Sequence, residues 1–484
     1  MKSNIKLMFA AGMMLLATGC TDLDVPLKSQ YPSYPNSEVA LNAQLNSIYS
    51  HFRGTLGRRF FEAMSLSSDE QTAVSYSGGW IDGGTYSHPS LHDFSYEDNT
   101  IDWMGELGKG CVKANEVINS DVDAKYKMPA RAMRAYFEFL MMDCWGDAPI
   151  LDVTVEGNDM NKRQPRAIVA KYLEKELLEI IPHLSTDASE GRNGIPNKYM
   201  AQALLAKLYI NWPVYMAASV DKYDASSATN EKLDACISIC DDIINSGKFN
   251  LGSMAYRFKF GPNNSALNVE DFIYAMPYDT YTATGMQYGS ANSYKDIKSM
   301  NPSYFGMKLS NSGGGYMTMT PEFANLFTLA GDERNNCVIG GQVYVYDPTT
   351  LLPTTEVAKD RKGNPLILTK NITLRYTDAN HTTLDWQNLD VGDDLDGWRQ
   401  GYRSVKFFVI NDDYKNGRNQ SNDVPIFRYS DILLMKAEAL TRKGMGGTVA
   451  QSLFNQIRTY VHAPSLTHVP TLQDIYEELG REFM

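Results

Sequence analysis

The sequence predicts a mainly α protein: a tetratricopeptide-like helical-hairpin solenoid that carries a loop-rich insertion of short helices and β-hairpins. Three observations predict it. Apolar residues recur at helical spacing from about 101 to 246, the pattern dissolves into Gly-, Asn-, Pro- and Tyr-rich segments from about 250 to 420, and helical spacing returns between 431 and 460. The expected organisation is an export signal (1–19), a tether (20–38) and a single domain (39–484). Within that domain a helical scaffold covers about 39–250 and 425–484, bracketing an irregular insertion over about 251–424.

The first twenty residues stand apart from the fold. Lys2 and Lys6 precede the apolar stretch Leu7 to Leu16, which is too short for a permanent membrane span. It ends in Ala17-Thr18-Gly19-Cys20, similar to a bacterial lipobox, in which a peptidase cuts before Cys20 and that thiol takes a diacylglycerol. The 484 residues carry a net charge of −12, and removal of 1–19 takes two lysines and no acid, leaving a body at −14. An acidic chain of this size with 43% hydrophobic residues excludes a disordered protein, a small disulfide scaffold and a basic nucleic-acid binder. No nucleic-acid partner is expected. Lipidation of Cys20 leaves Cys111, Cys144, Cys236, Cys240 and Cys337. Five is an odd number, and Cys236 and Cys240 share one helix face where a bridge is strained, so buried thiols are expected instead of disulfides.

Each helix has its own pattern. Ala40 to Phe52 is the first, after the Pro-containing tether. Met133, Tyr136, Phe137, Leu140, Met141 and Cys144 form one face, with Pro129 near the start and Gly146 at the end. Arg166 to Ile181 stops at Pro182; Ala201, Leu204, Leu205, Leu208 and Trp212 repeat the spacing; Leu233 to Ile244 closes at Gly247. Short connections between such helices imply stacked antiparallel hairpins. In the insertion, β-like runs occur at 272–276, 343–346, 366–368 and 405–410, and helices resume at Asp431 to Arg442 and Gln451 to Tyr460.

No nucleophile elbow, metal-binding His pair or phosphate loop is present, and no catalytic residue is assigned. Arg131, Arg134, Asp143 and Asp147 are expected to pair with one another and with nearby backbone, and Arg428 with Asp431 at i, i+3. Asp393-Asp394 and Asp412-Asp413 are expected to be solvated. No cofactor is expected; a structural Ca²⁺ on these acids is the weaker alternative, because they lack an EF-hand register.

Several segments together resemble the SusD/RagB family of nutrient-uptake outer-membrane lipoproteins. They are RAMRAYFEFLMMDCWGDAPI (131–150), KYMAQALLAKLYIN (198–211) and PIFRYSDILLMKAEA (425–439), with Trp103 and Asn115 fitting the helix after a first ligand loop. The resemblance implies a SusD-like solenoid of four tetratricopeptide-like units with the irregular segment carrying the ligand surface. It also implies a lipid-anchored location on the exterior of the outer membrane and a SusC-like TonB-dependent transporter as partner. Family members continue beyond a stretch similar to 476–484 with a Gly-Arg-rich segment and a final loop; this sequence ends at Met484.

The resemblance places ligand residues on two aromatic loops. Sugars present apolar C–H faces edged by hydroxyls, so a glycan site combines exposed rings with amide and charged side chains. Tyr76, Trp80, Asp82 and Tyr86 fit that recipe in the first loop; Tyr281, Gln287, Tyr288, Asn292 and Tyr294 fit it in the second, with Tyr316 close by. The expected function is non-catalytic capture of oligosaccharides for delivery to the transporter. The alternatives are a RagB-like peptide or glycopeptide binder and, less well supported, a surface glycoside hydrolase.

Overall fold

The computed structural model describes residues 37–77, 85–98, 100–153, 162–294 and 309–484. Contacts divide the chain into two units, 1–43 and 44–484. Of the first, the described part opens helix α1 (Glu38–Tyr49), where Ser37 Oγ accepts from the Ala40 N–H. All the remaining elements belong to the second.

Helices α2 (Phe61–Ser67), α3 (Met104–Ile118), α4 (Ala124–Trp145), α5 (Arg166–Ile180), α6 (Lys198–Ile210) and α7 (Leu233–Asn245) precede the insertion. Helices α8 (Tyr429–Arg442), α9 (Gly447–Tyr460) and α10 (Leu472–Phe483) follow it. From α3 onward each packs on the next as far as α7. Helix α7 then packs on α8 although the whole insertion separates them in sequence, and α8 in turn takes α9 and α10. The solenoid is therefore continuous in space, and the insertion leaves it and returns at adjacent helices.

The expected helices are present, with instructive differences. Helix α4 begins five residues before Pro129, because Asp123 caps it by accepting from the Lys125 N–H at 2.9 Å. Its apolar face, Met133, Tyr136, Phe137, Leu140 and Met141, is buried as the spacing predicts. The charged set does not pair within itself. Arg131 makes a two-pronged contact with Glu176 on α5, at 2.8 and 2.6 Å, and the buried Arg134 reaches Glu176, Asp152 and Asn115. Asp143 accepts from Tyr215 Oη, and Asp147 caps the Arg166 N–H. A guanidinium taken out of water needs several acceptors, and the neighbouring helix supplies them where its own turn cannot.

The same correction applies at Arg428. It binds Glu482 at 2.6 Å and Asp271 at 3.2 Å, while Asp431 pairs with Lys207. Arg334, Asp332, Lys406, Lys259 and Glu478 complete a buried ionic cluster that ties α10 to the insertion and to the start of α8.

The strands of the insertion enter five two-stranded antiparallel ladders, one of them shared with Gln71–Ala73, with no larger sheet among the described residues. Phe272–Met276 pairs with Val424–Arg428, so the two ends of the insertion are joined to each other. Gln71–Ala73 pairs with Met317–Met319, in the register Gln71 to Met319. The run 405–410 is not a strand. Its N–H groups go singly to Cys337, Phe260 and the Asp413 carboxylate, and the ladder there is only Arg403–Ser404 against Val338–Ile339. A separate core of Tyr76, Tyr294, Val343, Trp398, Phe408 and Tyr414 fills the insertion. The five cysteines in the described residues are thiols, with Cys111, Cys236, Cys240 and Cys337 buried and Cys144 half-buried.

Candidate functional site

The first loop grows from the solenoid through an unusual turn. After α1 the chain passes through a short helix (Arg53–Thr55) and a π-helical turn (Leu56–Phe60) into α2. Carbonyls of that segment receive the second loop: Gln287 N–H donates to Gly57 at 2.9 Å, Tyr288 Oη to Leu56 at 2.8 Å, and Tyr278 Oη to Arg53 at 2.6 Å. The turn thus acts as the clamp between the two regions that the sequence singles out.

A third segment, Asn311 to Tyr316, lies between them. Ser290 O accepts from the N–H groups of both Gly314 and Gly315. Tyr76 Oη donates to Gly315 O, and Arg403 donates to the same carbonyl at 3.2 Å. The glycine run has a steric cause: a Cβ on Gly313 would lie 1.8 Å from Ser293 Oγ, and one on Gly314 2.7 Å from the Tyr316 ring. The run seats one loop against the other.

These contacts reassign most of the predicted ligand residues. Tyr86 and Tyr316 lie ring against ring at 4.4 Å, over the fully buried Glu62. Glu62 accepts from Tyr316 Oη, from Arg58 at 3.0 Å and from Arg59 at 2.8 Å, and Tyr86 Oη accepts from Arg58 at 2.7 Å. Tyr288 is stacked on Phe61 at 4.0 Å and meets Phe407 edge-on. Tyr76, Tyr86, Tyr288, Asn292, Tyr294 and Tyr316 are all buried, with Tyr288 and Asn292 in the wall of a cavity and not on the outer surface. They anchor the loop roots. Burial, together with the Glu62 carboxylate beside it, pushes the Tyr316 hydroxyl well above the ordinary phenol range.

Tyr281 is different, being 67% exposed. Asp279 fixes its turn by accepting from the N–H groups of Tyr281, Thr282 and Ala283. Burial opposes ionisation of that carboxyl, but the Thr282 hydroxyl and these N–H groups outweigh it and hold it at about 2. Gln287 is half-buried beside the clamp. Trp80 and Asp82, like Cys20, lie outside the described residues. Two further open rings that the sequence motifs do not single out are Trp386, 61% exposed, and Tyr376. The signal for Trp386 is its polar setting, Thr382-Thr383-Leu384-Asp385-Trp386-Gln387-Asn388, which contrasts with the buried Trp398 in its short helix.

Two cavities lie beneath this surface. One, of about 300 Å³, is walled by Phe60, Phe61, Phe407 and Phe427 and includes Asn292 and Gln71. The other, of about 620 Å³, contains the edge-on pair Trp103 and Trp145, 4.4 Å apart. Asp143 lines both; it is reached by solvent through the cavities although protein surrounds it on most sides. The polar groups of the larger cavity are engaged by protein: Asp143 by Tyr215, Asp147 by Arg166 N–H, and Arg163 by the carbonyls of Asp147 and Trp145.

Carboxyl groups with strongly raised pKa are sealed in the interior. Glu138 is pushed up to about 8 by burial, against the pull of Arg134, and accepts from the Leu151 N–H. Asp423 is pushed up to about 7 and Asp413 to about 6, each by burial against backbone donors. A general acid has to reach its substrate, and these do not. Of the paired acids, Asp393, Asp394 and Asp412 are exposed as expected, although Asp393 accepts from Trp398 Nε1 and Asp394 caps the Gly397 N–H, whereas Asp413 is buried on Ser421 and Ile410. Among the described residues, no three His, Cys, Asp or Glu side chains are grouped to hold a metal ion.

Comparison with known proteins bears on this geometry. The SusD family model matches residues 270–484. The SusD fold itself extends over nearly the whole chain. Surface glycan-binding protein A from Bacteroides uniformis superposes with a TM-score of 0.64 at 16% identity, over 92% of this chain and 85% of that one. A SusD superfamily protein from Bacteroides fragilis gives 0.64 at 15% identity, over 93% and 86%. A laminarin-binding SusD-like protein gives 0.61 at 18% identity, over 92% and 88%. Curated proteins give no sequence match. The solenoid with its returning insertion is therefore the SusD architecture; segment 198–211 is the α6 helix of that scaffold, and segment 425–439 runs from the strand Val424–Arg428 into α8. No helix among the described residues is long and apolar enough to cross a membrane.

Proposed function

We propose that this chain is a non-catalytic surface glycan-binding lipoprotein that captures oligosaccharides and passes them to a SusC-like TonB-dependent transporter. The match of residues 270–484 to the SusD family carries the reading. It is supported by the shared fold with a glycan-binding protein and a laminarin-binding protein, and by an insertion that holds Tyr281 open on a fixed turn. In this reading Tyr281, Trp80 and Asp82 are the contact residues of the predicted set, and the buried tyrosines hold their loops. Cys20 carries the lipid that keeps the protein at the outer-membrane surface.

Affinity electrophoresis against neutral polysaccharides tests the capture step: retardation by at least one glycan without release of reducing ends is expected. Hydrolysis of the glycan would overturn the non-catalytic assignment. Co-purification of a TonB-dependent barrel from native membranes tests the partner, and Cys20→Ala should move the protein out of the membrane fraction.

A further inference from the structure

The hairpin 375–388 carries the most open indole among the described residues. Trp386 is 61% exposed and Tyr376 is 42% exposed, and the Tyr376 ring lies parallel to the His381 ring at 5.0 Å. A single exposed aromatic residue is ordinary on a protein surface. Here the rings are exposed on backbone that is thoroughly fixed. Thr377 N–H donates to Thr383 O, Asp385 N–H to Arg375 O, and Trp386 N–H to Leu384 O. Asp378 accepts from Asn380, Thr382 and Thr383 at the tip.

The hairpin is also fastened to the first loop. Arg375 N–H donates to Asp390 O, and its guanidinium binds the Asp390 carboxylate at 2.9 Å and Ser77 Oγ at 2.7 Å. Asp390 in turn accepts from the Ser77 N–H, and Ser75 exchanges backbone bonds with Leu389 and Val391. Ser77, His381 and Leu389 all adopt left-handed backbone, which costs energy in residues other than glycine and is held here by these bonds. The result is an indole carried on fixed backbone without being covered. That arrangement suits a ligand that stacks, since the backbone does not have to be ordered on contact.

We infer that Trp386 is a stacking platform for a neutral glycan, with Tyr376 exposed on the same hairpin, on a different segment of the insertion from the Tyr281 turn. The inference rests on the glycan reading above and adds a site to it. The platform takes a pyranose face that presents axial C–H bonds, as in gluco- and xylo-configured sugars, with Arg375, Thr377 and Gln387 within the polar rim of the same hairpin. An axial hydroxyl on that face would hold the sugar off the indole.

The test uses the full chain, laminarin, xyloglucan and a set of neutral polysaccharides, with affinity measured by titration calorimetry. Trp386→Ala should weaken binding about tenfold or more, and Trp386→Phe should retain most of it. Tyr476→Ala, which removes an equally open ring on α10, should leave it unchanged. Because Trp386 is exposed, its variants should unfold with the wild type. A glycan bound by wild type and by Trp386→Ala with affinities within twofold would overturn the platform while leaving the glycan reading intact. Equal weakening by Tyr476→Ala would also overturn it. Failure of the wild type to bind any glycan would remove the underlying reading instead, and the platform with it.

Discussion

Replacing Gly57 by Ala should loosen the clamp between the first and second loops. A Cβ at Gly57 would lie 2.4 Å from Gly285 O, 2.6 Å from Gly285 C and 2.9 Å from Met286 Cα. All three are backbone atoms, and comfortable carbon contacts begin at about 3.5 Å, so one segment has to move by about 1 Å. Overpacking of that kind costs about 1–3 kcal/mol. Moving the segment also stretches the bonds from Gln287 N–H to Gly57 and from Tyr288 Oη to Leu56, each worth about 1 kcal/mol. The Ala gain in helix propensity, about 1 kcal/mol, offsets only part of this. A net loss of about 3 kcal/mol corresponds to a midpoint lowered by about 3 °C for a chain of 484 residues. Gly54, three residues earlier, is the control, because nothing lies within 4 Å of its Cβ position. Gly54→Ala should leave the midpoint unchanged or raise it by about 1 °C. Scanning calorimetry of the two variants decides the matter. A Gly57→Ala protein that melts with the wild type, or a Gly54→Ala protein that falls as far as Gly57→Ala, would refute the close backbone approach.

Glu482→Gln should destabilise the protein by about 3–5 kcal/mol in denaturant unfolding, because Arg428 and Arg334 lose a buried charged partner; a loss below about 1 kcal/mol would contradict the ionic cluster. Glu138 has a folded pKa of about 8 against an ordinary value of 4.5, so the folded state holds a proton that the unfolded chain gives up in that window. Stability should therefore fall as pH rises from about 5 to 7, with Asp413 and Asp423 acting in the same direction. The lowered pKa of Lys406, about 7, opposes the fall only above that value. Glu138→Gln should flatten the decline, and an unchanged pH profile would show that this carboxyl is not raised. Tyr281→Ala should leave the unfolding midpoint at the wild-type value and weaken glycan binding about tenfold, whereas Tyr316→Phe should lower the midpoint by removing the bond to Glu62.

The scaffold was legible because helical burial repeats along the chain. The face of α4 and the strand Phe272–Met276 lie where the sequence puts them, and the stop at Gly146 is local chemistry, whereas the Asp123 cap carries the start of α4 five residues ahead of Pro129. Ion pairing was not legible. Arg131 and Arg428 have acids nearby in sequence, yet their partners are Glu176 and Glu482, which only the tertiary arrangement brings close. The ligand loops show why composition misleads. Tyr76, Tyr86, Tyr288 and Tyr316 have the side chain that a sugar platform needs, but the same amphipathic ring also suits a buried anchor with one polar tip. Which role a tyrosine takes depends on whether another segment covers it, and here Asn311 to Tyr316 and α2 do so. Trp386 is hidden in the sequence for the converse reason: it stands outside the two loops that the family resemblance favours, and its exposure follows from a hairpin with no apolar periodicity.

The proposed function stands on capture of a glycan without chemistry. Titration calorimetry of the full chain against neutral polysaccharides and, in parallel, a peptide library, with reducing ends assayed in the same samples, tests it most directly. Saturable binding to at least one neutral glycan is expected, with no peptide bound and no reducing ends released. Peptide binding with no glycan bound, or release of reducing ends from the bound polysaccharide, would contradict it.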